Sequence, residues 1–243
     1  MLHYIMLIYP LKILKSGHVF LDPSDNCKAA AIALEQINYE EDFCLALDFD
    51  PLFISRMMEA GFFVMSCFPE EPGEENKNCI LLPKHHLLRS CLFFPELHIK
   101  KSIKSRLALY DLRYDCDFDL VLEKCIEIHG ADWLTEPLVT TIKTIRNISG
   151  ISAKPVSLAL YREEKLVAGE FGIVSGKVYT SYSGYYEEDN AGTVQMILAA
   201  RLLEKMGFAF WDLGMPLDYK LTFGAKEISR SEFMQLFNDA QER

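Results

Sequence analysis

From Lys177 to Gly214 the chain reads KVYTSYSGYYEEDNAGTVQMILAARLLEKMGFAFWDLG, and this stretch most constrains the fold. Small and aromatic residues alternate from Val178 to Ser183, as in a half-buried strand. Asp189 and Asn190 offer N-caps, Val194, Ile197, Leu198 and Leu202 recur at helical spacing, and Gly207 stands where a left-handed C-terminal cap belongs. Phe208 to Leu213 reads as a second strand, with Asp212 near its end. Strand, helix and strand in so short a span predict a right-handed crossover between parallel neighbours. Ligands bind such units beyond the carboxyl ends of the strands and near the helix N-terminus.

The preceding pattern is antiparallel. Val156 to Tyr161, Leu166 to Ile173 and Val178 to Ser183 form a meander, with turns at Arg162 to Lys165 and at Ser175-Gly176. Two helices come before it. One is marked by Phe118, Val121, Leu122, Cys125 and Ile126 and stopped by Gly130; the other runs from Thr135-Glu136-Pro137 through Ile142 and Ile145. Short strands are expected at Ile80–Leu82 and Leu87–Phe94. Nearer the start, Ser24 or Asp25 is placed to cap a helix through Ala29, Ala33 and Ile37, and Pro51 and Gly61 bracket another. The segment FPEEPGEENKN carries two prolines, a glycine and four glutamates and reads as a boundary, dividing a small α/β domain (1–76) from the rest (77–243).

With 243 residues there is room for one large or two modest domains. No apolar run reaches membrane-span length, so no membrane partner is expected. The opening MLHYIMLIYPLKILKS lacks a basic leader and a small-residue cleavage site, and reads as a buried first strand. Seven scattered cysteines without a C-x-x-C pair argue against a disulfide framework and a zinc site, which suits a cytoplasmic protein with free thiols and no metal. The net charge of −10 disfavours general affinity for nucleic acid. One basic island stands out: between Lys84 and Arg113 there are seven Lys and Arg against Glu96 and Asp111. It is either a phosphate-binding surface or a solvated helix face.

Helices, an antiparallel meander, then helix and strand is the element order of the GCN5-related N-acetyltransferase fold, in which a mixed sheet splits between two parallel strands. Four stretches, spanning roughly residues 45 to 237, together resemble the leucyl/phenylalanyl-tRNA–protein transferase family, which carries this fold after a small N-terminal domain. RMMEAGFFVM is similar to the family's A-Y-x-x-G-I-F-P-W, LHIKKSIKSR to H-x-S-R-S-L-R-K, and ADWLTEPLVTTIKTI to T-W-I-T-x-x-M-x-x-A-Y. The C-terminal half meets L-V-x-G-x-x-G-x-x-x-G-x-V-[FY], L-x-x-x-G-F and L-G-A-x-x-I-x-R-x-x-F, the last as F-G-A-K-E-I-S-R-S-E-F. Departures fall in the family's G-E-S-M-F-S-R, which here is Ser181 to Glu187 with Tyr182 for the glutamate, Gly184 for the methionine and Glu187 for the arginine. The family's D-C-Q becomes Asp212-Leu213-Gly214, and the tryptophan of F-P-W becomes Met65.

The resemblance implies an α/β (α+β) chain that moves an amino acid, Leu or Phe in the family, from charged tRNA to the N-terminal α-amine of acceptor proteins, marking them for degradation. No cofactor is implied beyond the aminoacyl-tRNA co-substrate, and a monomer is expected. Asp212 is the expected base or amine-orienting group, or else a turn-capping carboxylate before Pro216. Tyr182 and Ser183 are expected to bind the ester oxygen or terminal ribose, or simply to pack in their strand. Phe171, Gly184, Tyr185 and Met196 are expected to line the donor side-chain pocket, Trp133 to stack on the terminal adenine, and Glu187 to receive a cationic acceptor. Lys100, Lys101, Lys104 and Arg106 would bind acceptor-stem phosphates. Two other readings remain. One is an acetyl-CoA-dependent N-acetyltransferase, disfavoured because Glu187, Glu188 and Asp189 precede the helix where a pyrophosphate would sit. The other is a non-catalytic tRNA- or peptide-binding relative.

Overall fold

The computed structural model describes residues 9–69 and 78–241. The expected strand over the first residues falls mostly outside this range. Its described remainder, β1 (Lys12–Ile13), is exposed and pairs with β2 (Val19–Phe20). Helix α1 (Cys27–Gln36) is capped by Asn26, which accepts from the Ala29 N–H; Asp25 is instead engaged by Lys12 and Tyr9 and so does not serve the cap. Asp50 caps α2 (Pro51–Glu59), and Gly61 at φ +88° turns the chain into β3 (Phe63–Cys67). Strand β4 (Ile80–Lys84) pairs antiparallel with β3. Residues 68–78 therefore join two partners of one hairpin, and a single apolar core reaches from Val19 to Ala240 across the expected boundary.

The chain continues as β5 (Leu88–Leu92), a short basic helix α3 (Lys101–Lys104), β6 (Asp111–Tyr114), α4 (Phe118–His129) and α5 (Glu136–Asn147). The meander follows as β7 (Lys154–Arg162), β8 (Lys165–Ser175) and β9 (Val178–Tyr186). Then come α6 (Ala191–Lys205), β10 (Phe210–Asp212), α7 (Asp218–Thr222), β11 (Lys226–Ser229) and α8 (Arg230–Gln241). Seven strands form one mixed sheet in the order β11-β5-β10-β9-β8-β7-β6. All neighbours are antiparallel except β9 and β10.

That one parallel pair produces the cleft. Phe210, Trp211 and Asp212 pair with Val178, Tyr179 and Thr180, after which β10 ends and β9 runs six residues further without it. The sheet opens at this point. A bulge on β9 adds to the opening: Phe171 pairs with Ser183 and Gly172 with Ser181, so Tyr182 has no counterpart on β8. Gly172 is required there, because a Cβ would lie 2.3 Å from the Thr180 carbonyl oxygen. Helix α6 starts at Asn190, whose backbone is left-handed (φ 69°) and whose side chain does not cap the helix, contrary to expectation. Gly207 does adopt the left-handed cap conformation, at φ +84°.

Candidate active site

A cleft of about 1300 Å³ occupies the opening between β9 and β10. Tyr182, Ser183, Gly184 and Tyr185 of β9 line it, as do Met196 of α6, Trp133 before α5 and Lys100 before α3. The structure thus gathers seven of the expected site residues around one cavity. Gly214 and Lys220 form another part of its wall.

Asp212 is placed differently from expectation. It is fully buried and is not part of the cleft wall. One carboxylate oxygen accepts from Thr180 Oγ1 (3.0 Å) and faces Arg89 Nη1 (3.3 Å); the other accepts from the Gly214 N–H (2.9 Å). Arg89 is itself buried, donates to the Gly61 carbonyl (2.8 Å) and lies over the Phe233 ring. An ion pair this enclosed holds β5, β10 and the end of α2 together, and through the Gly214 N–H it also ties down the chain that follows β10. Lys220 continues that support by donating to the Leu213 and Met215 carbonyls. Burial lowers the Lys220 pKa, against the opposing fields of Asp212 and Glu170.

Phe171 is also removed from the cleft. It is fully buried, edge-on to Phe118 and beside Tyr182. Successive strand side chains face opposite ways, so placing Phe171 inside turns its neighbour Glu170 to the cleft. Tyr182 contributes to the wall, but its hydroxyl accepts from the Val64 N–H (3.0 Å) and its ring stacks on Phe63 (4.2 Å between centroids). This side chain joins β9 to β3. Glu187 faces Lys124 (3.4 Å) and Lys165 (3.5 Å) rather than the cavity.

The basic island divides. Arg89 is in the core, Lys84 pairs with Asp42, and Arg113 pairs with Asp111 and Glu164. Lys100, Lys101, Lys104 and Arg106 are exposed on and beside α3, while Ile103 between them is buried and reaches the cleft wall. Lys100 therefore stands in the cleft wall, and the other three are exposed on the same short segment beside it.

Sequence reasoning missed Glu170, Ser181 and Gln195, which share the cleft wall. Glu170 is 7% exposed, and burial raises its carboxyl pKa to about 7 despite the Ser181 hydrogen bond. Ser181 Oγ donates to Glu170 Oε1 (2.6 Å) and accepts from Trp211 Nε1 (2.7 Å). The available signal was the lone carboxylate in LVAGEFGIV, where every neighbour is apolar or glycine.

A family profile described as leucyl/phenylalanyl-tRNA protein transferase matches residues 91–238. A leucyl/phenylalanyl-tRNA–protein transferase of Campylobacter jejuni (strain RM1221) is 27% identical over 198 residues, which is 78% of this chain and 85% of that protein. The transferase of the same name from Pseudomonas aeruginosa (strain LESB58) is 29% identical over 150 residues, 60% of this chain and 65% of that one. Among solved structures, L-PGS from Bacillus licheniformis aligns with a TM-score of 0.42 at 11% identity, covering 93% of this chain and 82% of that one. A GCN5-related N-acetyltransferase from Kribbella flavida aligns at 0.34 and 12% identity, covering 86% and 74%.

Proposed function

Since this chain belongs to the leucyl/phenylalanyl-tRNA protein transferase family, we propose that it transfers an aminoacyl group from charged tRNA to the α-amine of an acceptor protein, a modification that marks the acceptor for degradation. The observation that carries the reading is the cleft between β9 and β10 with Lys100 in its wall and three more exposed cations on the same segment, in a chain that is otherwise strongly acidic. The cations suit the acceptor-stem phosphates, and the cleft beside them suits the aminoacyl end. Trp133, half-buried at the wall, offers a ring face for the terminal adenine.

The reaction needs little from the protein beyond placement. The neutral amine attacks the ester carbonyl carbon, the new C–N bond forms, the C–O bond to the ribose breaks, and the departing ribose oxygen takes the proton that the amine loses. An aminoacyl ester is already activated, so holding the two reactants together in a partly dry cleft supplies the rate. Ser183 lines the wall between Tyr182 and Gly184, and in this reading its hydroxyl donates to the ester oxygen. Lys220 and the Asp212–Arg89 pair hold the opposite wall in position. No step calls for a metal or a diffusible cofactor.

The test is transfer of radiolabelled amino acid from a mixed charged-tRNA pool to peptides that differ only in their first residue, with an acetyl-CoA lane beside it. Label on one peptide class supports the reading and names the acceptor. Retention of tRNA without transfer makes the chain a binding relative, and label only from acetyl-CoA makes it an N-acetyltransferase.

A further inference from the structure

The cleft contains a carboxyl group whose surroundings prepare it to accept hydrogen bonds. Trp211 can only donate, so Ser181 Oγ accepts from it (2.7 Å), and toward an ionised Glu170 the Ser181 hydroxyl gives its own proton to Oε1 (2.6 Å). Among the described residues no side chain closes a hydrogen bond on Oε2. Tyr179 Oη and Gln195 Nε2 are buried beside the carboxyl, close enough to favour its ionised form, yet neither closes a well-formed hydrogen bond on it. Gly184 leaves the group uncovered: a Cβ there would sit 3.4 Å from Glu170 Cβ, so a longer side chain would lie across the glutamate stem. Lys220, whose charge is felt at Glu170, directs two of its N–H groups to backbone carbonyls and makes no hydrogen bond to the carboxyl. A buried acid with one oxygen tied, one open and no cation committed to it is costly unless a ligand completes it.

We infer that Glu170 is a binding residue of the donor site and that it receives a basic nitrogen of the aminoacyl group. The inference rests on reading the cleft as the aminoacyl site. Two nitrogens on a donor have this chemistry, the side-chain ammonium or guanidinium of a basic amino acid and the α-amine common to all. An ammonium brings three N–H donors and a guanidinium five, enough for Glu170 Oε2 and Tyr179 Oη together. An apolar donor side chain directed at the same wall would leave Glu170, Tyr179 and Gln195 unsatisfied.

The experiment is calorimetric binding of non-hydrolysable 3′-aminoacylamino-3′-deoxyadenosines carrying Lys, Arg, Leu or Phe, together with des-amino versions of the Leu and Phe compounds. Wild type, Glu170→Gln and Glu170→Leu are compared, each checked for folding by thermal melt. If the side chain is read, the Lys or Arg compound binds wild type roughly tenfold or more tighter than Leu and Phe, and Glu170→Gln removes that preference. If the α-amine is read, all four bind alike, the des-amino compounds lose a similar factor, and Glu170→Gln erases the loss. Equal binding of every compound to wild type and to a folded Glu170→Gln overturns the inference. Transfer from charged tRNA is measured on the same preparations. Transfer whose rate and donor profile are both unchanged in Glu170→Gln overturns this inference alone. Absence of both transfer and analogue binding in wild type overturns the transferase reading and this inference with it.

Discussion

Asp212 shows why a residue's type and position did not decide its role. Its place at the end of a strand in the opening of a sheet suits a base, yet its two oxygens are taken by Arg89, Thr180 and the Gly214 N–H. Removing either member of the ion pair leaves the other buried without compensation. Asp212→Asn and Arg89→Gln are each expected to cost about 3 kcal/mol in urea unfolding, and the double variant clearly less than the sum. Additive losses would mean that the two groups do not depend on each other. Glu170 differs, because its pKa is raised from 4.5 to about 7 by burial. The folded state then holds its proton where the unfolded state has released it. Its contribution to stability is complete below pH 4.5 and is lost as pH rises toward 7. Unfolding of wild type and Glu170→Gln should therefore diverge by about 3 kcal/mol between acid and mildly alkaline pH, the glutamine variant gaining. Parallel pH curves would show that Glu170 ionises like an exposed carboxylate.

At the level of elements, local signals located the meander, the long helices and the glycine stops well. Glu163 and Glu164 turn the chain between β7 and β8 at positive φ, inside the turn expected at Arg162 to Lys165. The bulge at Tyr182 was not legible, because alternation of side chains says nothing about an extra residue until a partner strand fixes the register. That bulge depends on Gly172, whose missing Cβ leaves room for the Thr180 carbonyl and the Tyr179 ring. Gly172→Ala is expected to destabilise the fold by about 3 kcal/mol and to weaken binding at the cleft even where the variant remains folded. A neutral substitution would show that the strands can separate there at little cost. The acidic 68–78 segment is a different case. Its composition fits a linker, yet β3 and β4 pair across it, since sequence cannot say whether the elements flanking a loop return to each other.

Across the whole molecule the charge is −10, and the tRNA binding proposed above would have to work against it. Lys100, Lys101, Lys104 and Arg106 supply the local exception. Replacing all four with alanine is expected to reduce the slope of log affinity against log salt by about 3, as filter binding from about 50 to 200 mM salt would measure, with loss for charged and uncharged tRNA alike. An unchanged slope would move the phosphate contacts elsewhere. No helix among the described residues is long and apolar enough to cross a membrane. The sequence by itself determined the strand–helix–strand unit, the meander before it, the basic segment and the family, because these depend on periodicity, caps and short motifs within neighbouring residues. Only the tertiary structure decided that Asp212 and Arg89 are buried together, that Phe171 turns inward while Glu170 faces the cleft, and that Trp211, Ser181 and Glu170 join in one hydrogen-bonded chain. Those outcomes require strands distant in sequence to meet in one register, and burial with its electrostatic cost exists only once they have done so.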